Sequence, residues 1–304
     1  MATPADPRKR DGVLVVDKPA GPTSHDVVIC ARRSLGVSRI GHTGTLDPQA
    51  SGVLPLVIGQ ATRLAAHLTK SDKEYVATVR FGIETDTHDA SGTTVRASGA
   101  TPRVADLETA LQRFVGVITQ TPPLYSAKFV GGERSYVRAR SGKPLQPPPV
   151  TLTTHHLELL TFDGARATIR IRCSAGFYVR SLARDLGQAL GVGAILDELQ
   201  RTEAAGFSLS EAVPFGTLVS APRAELWSAV KPIEVLLAEI PSASLTAEGV
   251  RWARHGRELG PHELSTPLAA IPDLVRMLAP DGRMIGLAER SDRPGFLHPA
   301  VVFS

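Results

Sequence analysis

Residues 165–173 alternate without a break: Ala165, Ala167, Ile169, Ile171 and Cys173 share one face of an extended segment, and Arg166, Thr168, Arg170 and Arg172 share the other. A strand of this kind cannot lie in a parallel sheet covered on both faces, because the arginine row would be stranded in the interior. It requires a sheet with one face on a core and the other toward solvent or a polyanion. Tyr75, Ala77, Val79 and Phe81 repeat the period in a second segment. Helical segments are interspersed without a regular βαβ rhythm. The predicted class is therefore mixed α+β rather than doubly wound.

The helix signals are local. Thr23, Ser24 and Asp26 form a cap ahead of Val27, Val28, Ala31 and Leu35, with Gly36 as the stop. A second helix is predicted from Val104, with Leu107, Ala110, Leu111 and Phe114 as its stripe and Gly116 as its end. A third spans Ser181 to Leu190, with Leu182, Leu186 and Leu190 four apart, and ends at Gly191. Leu145–Val150 (LQPPPV) holds three consecutive prolines, which excludes helix and central strand and closes a basic insertion beginning near Tyr125. A boundary near Pro241–Thr246 introduces a small unit: a helix around Glu248–His255, then Leu274–Leu278 and Met284–Ala288 joined by the turn PDG.

Composition excludes other classes. At 42% hydrophobic and 21% charged residues over 304 positions, the chain has the apolar surface that disorder lacks. Its best apolar run, Val53–Ile58, is far short of the roughly 20 residues of a membrane span. The first ten residues, charged and proline-broken, lack the apolar core of a signal peptide and are expected to fray. Cys30 and Cys173 are distant and show no C-x-x-C spacing, so neither a disulfide framework nor a thiolate metal site is expected, and the cytoplasm is the expected compartment. His155 and His156 are adjacent in an alternating stretch, an arrangement that does not favour a shared metal.

The 34 basic residues comprise 27 arginines and only seven lysines, against 30 acidic residues. From Thr246 onward basic and acidic residues balance, so the whole surplus lies earlier in the chain. It concentrates in two runs. Lys128–Lys143 carries Lys128, Arg134, Arg138, Arg140 and Lys143 against Glu133 alone, and Arg166–Arg184 carries five arginines and no acid. Arginine's planar fork suits phosphate and base faces, although any single run is more often a solvated surface.

The densest irregularity is GHTGTLDPQASG, residues 41–52. Three glycines and a proline there mark a rigid loop with unusual backbone angles. Asp47 precedes Pro48, which is well placed to open a short helix with Asp47 as its N-cap. A capped carboxylate is also an immobilised one, which catalysis can use.

This loop, extended to GHTGTLDPQASGVLP, resembles the signature of the TruB family of tRNA pseudouridine synthases. DKPAGPTSHDVV, KEYVATVRFG, TDTHDASG, PPLYSA, GFYVRSLARDLG and LQRT resemble further motifs of that family in the family's order, over residues 12 to 210. The resemblance implies a disordered N-terminal tail, 1–11, then the pseudouridine synthase fold over residues 12–243, a mixed, largely antiparallel central sheet flanked by helices with an RNA-binding insertion at about 125–150, and a small PUA-like RNA-binding domain over 244–304. It implies isomerisation of uridine 55 in the tRNA T loop, after base flipping and without cofactor or metal, by a monomer with no protein partner.

By the same resemblance Asp47 is the catalytic carboxylate, as nucleophile at C1′ or base at C2′, and Arg180 is its cationic partner. Tyr75 packs on the target base, Tyr178 and Leu199 wall the pocket, and His42 fills the space left by the flipped base. Lys18 is open between an ion-pair partner and a phosphate contact. Lys128, Arg134, Arg138 and Arg140 are the expected RNA contacts. Asp86 and Asp89 lack the longer ligand series of a calcium loop and read as a polar turn. The alternative function is an RNA-binding or tRNA-folding module whose chemical step is secondary.

Overall fold

The computed structural model describes residues 11–126, 128–266, 268, 270 and 272–303. Of the expected N-terminal tail, residues 1–10 lie outside the described residues. In chain order the first elements are β1 (Gly12–Lys18), α1 (Ser24–Leu35), β2 (Ile40–His42), β3 (Ser51–Ile58), α2 (Ala65–Thr69) and β4 (Lys73–Phe81). There follow β5 (Ile83–Thr85), β6 (Thr94–Ala97), α3 (Val104–Gln112), β7 (Gly116–Gln120), β8 (Phe129–Val130), β9 (Glu133–Arg134) and α4 (Ser135–Arg140). Then come β10 (Val150–Phe162), β11 (Arg166–Cys173), α5 (Val179–Ala189), β12 (Ala194–Ala204), β13 (Phe207–Ser208), β14 (Val213–Pro214), α6 (Phe215–Ser220), α7 (Arg223–Ser228) and β15 (Lys231–Pro232). The last unit holds β16 (Ser242–Ser244), α8 (Ala247–Arg254), β17 (Leu274–Leu278), β18 (Met284–Arg290) and β19 (Leu297–Val302).

The central sheet runs β14-β1-β3-β12-β4-β11-β10-β7. Its pairings are antiparallel except for β1 with β14 and β3 with β12. The expected α+β class with a largely antiparallel sheet is what the chain forms. β4 and β11 carry the alternation read from sequence: Tyr75, Ala77, Val79 and Phe81 face a core shared with Ala167, Ile169, Ile171 and Cys173. Leu107, Ala110 and Leu111 of α3 and Leu182 and Leu186 of α5 cover that face.

The arginine face is not the free cationic surface that sequence allowed. Arg170 pairs with Glu158 of β10 at 2.6 Å, and Arg166 pairs with Asp197 of β12 at 2.8 Å. Acids from neighbouring strands neutralise much of a row that is unpaired along its own strand.

Local signals held where they were local. Thr23 and Asp26 form a reciprocal cap on α1, and Gly36 closes it in the left-handed region at φ 69°. α3 stops at Gln112, so Phe114 lies beyond it, and Gly116 opens β7 instead of ending a helix. α5 begins at Val179, earlier than its leucine spacing indicated, which places Arg180 in its first turn. The last unit is a four-stranded sheet, β16-β17-β18-β19, with its own core of Leu245, Ala253, Leu259, Val275 and Leu297. Met284 and Leu287 of β18 pack into a second core with Val13, Val53 and Leu236, and this joins the two units.

Candidate active site

The loop between β2 and β3 carries Asp47, and side chains from three directions hold its backbone. Ser24, at the start of α1, accepts from Leu46 N at 2.8 Å and donates to Leu46 O at 3.1 Å. Lys18, wholly buried at the end of β1, donates to Pro19 O, Pro48 O and Ala50 O at 2.8, 3.1 and 2.6 Å. Arg201 of β12 donates to Val53 O at 2.7 Å and Gly44 O at 3.1 Å. At Gly52 a Cβ would stand 2.1 Å from the Arg201 carbonyl, so only glycine lets β3 enter the sheet here.

One expectation is corrected. No helix opens at Pro48: Ala50 N donates to Asp47 O at 3.0 Å in a tight turn, and Gly21 N and Lys18 take the Pro48 carbonyl that a helix would need. Asp47 therefore caps nothing. Lys18, open in sequence between an ion-pair partner and a phosphate contact, is here a staple on carbonyls, and burial pulls its pKa down to about 8.

With no helix to cap, the Asp47 carboxylate turns to α5. Arg180 Nε lies 2.9 Å from Asp47 Oδ2, as the resemblance implied. The side chain of Arg180 is 7% exposed and that of Asp47 37%, so the pair sits with its cation inside and its carboxylate toward solvent. Arg180 also donates to Tyr125 O at 3.0 Å and Thr87 O at 3.4 Å, and its Nε lies 3.7 Å from Asp89 Oδ2.

Asp89 is what sequence reasoning missed. Instead of decorating a polar turn, it is buried and accepts from Thr87 Oγ1, Ser91 N and Ser91 Oγ at 2.7, 3.0 and 2.6 Å. Asp86 is the turn residue, accepting from Thr93 N at 2.8 Å. The signal for Asp89 was its place in TDTHDASG, one of the motif segments, rather than any property of the aspartate alone.

The other site residues gather around this pair. Tyr75 on β4 is buried, and burial raises its phenol while Arg201 pulls it down. Tyr178, half-buried just before α5, is fixed by buried Gln120: its N donates to Gln120 Oε1 at 2.8 Å, and Gln120 Nε2 donates back to its carbonyl at 3.0 Å. Asp47 is near enough to raise both phenols. Leu199 packs on the cluster of Leu46, Ala50, Tyr75 and Val179. His42 ends β2; its Nδ1 accepts from Gly44 N at 3.3 Å, and burial with Arg201 and His25 nearby lowers its pKa and keeps it neutral.

Lys128, Arg134, Arg138 and Arg140 lie apart from this cluster, in the insertion. Arg134 stacks over exposed Phe129 at 5.0 Å and Arg140 over Tyr136 at 5.7 Å, while Arg138 lies 3.8 Å from Glu133. Ser135 N bonds Lys128 O at 2.8 Å and Ser135 Oγ bonds Leu124 O, anchoring the insertion beside the Tyr125 carbonyl that Arg180 grips. Among the described residues no group of three or more His, Cys, Asp or Glu side chains is placed to hold a metal. His155 and His156 pair instead with Asp72 and Glu158.

The profile of the TruB family pseudouridylate synthase N-terminal domain matches residues 32–179, and that of the tRNA pseudouridylate synthase B C-terminal domain matches residues 180–238. The chain belongs to the TruB family. It is 40% identical over 293 residues to the tRNA pseudouridine synthase B of Burkholderia pseudomallei, with 96% of each chain covered. It is 41% identical over 302 residues to the protein of that name from Synechococcus sp. (strain WH7803), covering 96% of this chain and 97% of the other. Among solved structures, a chain of a Cbf5-Nop10-Gar1 complex aligns with TM-score 0.72 at 27% identity, over 95% of this chain and 84% of that one. An archaeal box H/ACA Nop10-Cbf5 complex aligns with TM-score 0.70 at 26% identity, over 95% and 85%. Both TruB profiles fall on the large unit, and the boundary between them passes through the start of α5, between Val179 and Arg180.

Proposed function

We propose that this chain converts uridine 55 of the tRNA T loop to pseudouridine, with Asp47 as the reacting carboxylate. The observation that carries the reading is the Asp47–Arg180 pair: a partly exposed acid with one oxygen 2.9 Å from a buried guanidinium. A guanidinium at that distance also fixes the direction in which the carboxylate points.

The reaction breaks the N1–C1′ bond, turns the base and joins C5 to C1′, and the C5 proton is released. The target must leave the stacked T loop to reach Asp47, at a cost of a few kcal/mol. Tyr75 stacks on the flipped base, worth about 1–3 kcal/mol. Tyr178 and Leu199 form the walls, and neutral His42 fills the gap left in the loop. Asp47 Oδ1 then acts on the sugar, by attack at C1′ or by removing the C2′ proton. The rigid carbonyl staples on the Asp47 loop support either route, because both need the carboxylate at one fixed place.

The insertion, with its arginines stacked on exposed aromatics, suits RNA phosphate and base faces. The C-terminal sheet supplies a PUA-like second RNA contact, and the chain works as a monomer in the cytoplasm. A guide-dependent reaction is disfavoured because identity is near 40% with proteins named tRNA pseudouridine synthase B and below 30% with the H/ACA chains.

The test compares Asp47→Asn with the native protein for pseudouridine formation and for tRNA binding. Lost formation with retained binding is expected. Full pseudouridine formation by the variant would sink the assignment of Asp47. Binding without formation by the native protein would favour an RNA-folding module.

A further inference from the structure

Arg201 stands outside the chemistry just described, yet among the described residues it is the largest fully buried side chain, at 1% exposure. Its hydrogen bonds go to carbonyls rather than carboxylates: Nε to Val53 O at 2.7 Å and Nη2 to Gly44 O at 3.1 Å. A buried cation without a carboxylate on it is a poor way to stabilise a core, since an apolar side chain of equal volume would serve better. Its place in the sheet suggests what it serves instead. Arg201 lies opposite Tyr75 on β4 and opposite Gly52 on β3, so one residue touches the strand of the base-stacking ring and the strand that leads out of the Asp47 loop.

The carbonyls it holds, those of Gly44 and Val53, bracket Asp47 on either side. Arg201 and Tyr75 are direct cross-strand partners on β12 and β4, and the guanidinium charge opposes the upward push of burial on the Tyr75 phenol. We propose that Arg201 is a positioning residue for the reaction, tying both ends of the Asp47 loop to the strand of Tyr75 so that carboxylate and ring keep one spacing while the base turns. Lysine could not do this, because a single ammonium lacks the planar fork whose separate nitrogens reach the Val53 and Gly44 carbonyls. The inference rests on the reading of the site under Proposed function.

The test uses single-turnover release of tritium from tRNA labelled at uridine C5, alongside the tRNA dissociation constant, for the native chain, Arg201→Lys, Tyr75→Phe and the double variant. Arg201→Lys is expected to slow release by about 100-fold, the scale of an ångström-level misplacement. Its dissociation constant is expected to stay within about threefold of the native value, since Arg201 is buried away from RNA. In the Tyr75→Phe background the same change should cost less than about tenfold, because the coupled partner is already gone.

A native-like rate for Arg201→Lys, or losses that multiply in full, would overturn the inference. No release by the native chain would overturn the assigned reaction instead. If Arg201→Lys does not fold, the Arg201 Nε–H resonance of the native chain and of Tyr75→Phe decides: a shift is expected, and identical spectra overturn the link.

Discussion

Replacing Arg180 with methionine keeps most of the stem volume and removes the charge, and the structure says which carboxylate should suffer. Asp47 is nearer, at 2.9 Å, but its side chain is 37% exposed; Asp89 is farther, at 3.7 Å, but 4% exposed. Water screens the loss at Asp47, which is then worth no more than about 1 kcal/mol. Breaking a buried pair typically costs about 3–5 kcal/mol. Asp89 keeps its donors Thr87 Oγ1, Ser91 N and Ser91 Oγ after the substitution, so about 2–3 kcal/mol is expected of the stranded charge. At this chain length that lowers Tm by roughly 3–5 °C.

The rate tells a different story from the stability. Asp47 loses the guanidinium at 2.9 Å, and removal of one such electrostatic contact typically slows chemistry by about 10²–10³. Calorimetry and single-turnover tritium release read the two effects separately. Adding Asp89→Asn to Arg180→Met should recover part of the lost Tm and none of the rate. If Asp89→Asn recovers no Tm, Asp89 is not the stranded group. If Arg180→Met keeps the native rate, the pair does not organise Asp47.

Three further outcomes follow from the same geometry. Burial lowers Lys18 and Lys73 to about 8 from 10.5, so the folded state favours their neutral forms; their contribution to stability is full above pH 10.5 and lost as pH falls through about 8. Between those values stability from these groups should rise while single-turnover rate falls, since a neutral Lys18 cannot donate to all three carbonyls; parallel loss of both would refute the staple. Burial pushes the Cys173 thiol up to about 12, so a thiol reagent at neutral pH should modify only half-buried Cys30 until the protein is denatured, and two fast thiols in the native chain would contradict the fold. Arg134→Ala and Arg140→Ala should each reduce the salt slope of tRNA binding by about 1 and leave the rate at saturating enzyme unchanged; an unaltered slope would remove the insertion from the RNA surface.

What the sequence disclosed divides by the distance over which each partnership acts. The cap of α1, the stop at Gly36 and the period of β4 and β11 are settled within a few residues, and all were legible. Asp-Pro at residues 47 and 48 was local too but ambiguous, because the pair serves turns and helix starts alike. Lys18 and Gly21 resolved it from elsewhere in the chain by taking the Pro48 carbonyl. The charged residues show the rule most plainly. Lys18, Asp89 and Arg201 look like surface residues in sequence and all are buried; Lys18 and Arg201 reach carbonyls in and beside the Asp47 loop, and Asp89 adds Arg180 of α5 to the donors of its own turn.

The arginine row of β11 fails in the opposite sense. It looked like a polyanion face because Glu158 and Asp197 lie on other strands, and only the sheet brings them across. With Arg166 and Arg170 neutralised there and Arg180 committed to Asp47 and Asp89, the Arg166–Arg184 run contributes far less free charge than its composition suggests. RNA attraction must then come disproportionately from the insertion, where Arg134 and Arg140 are exposed on aromatic rings, and a salt slope that survives its neutralisation would place the RNA elsewhere.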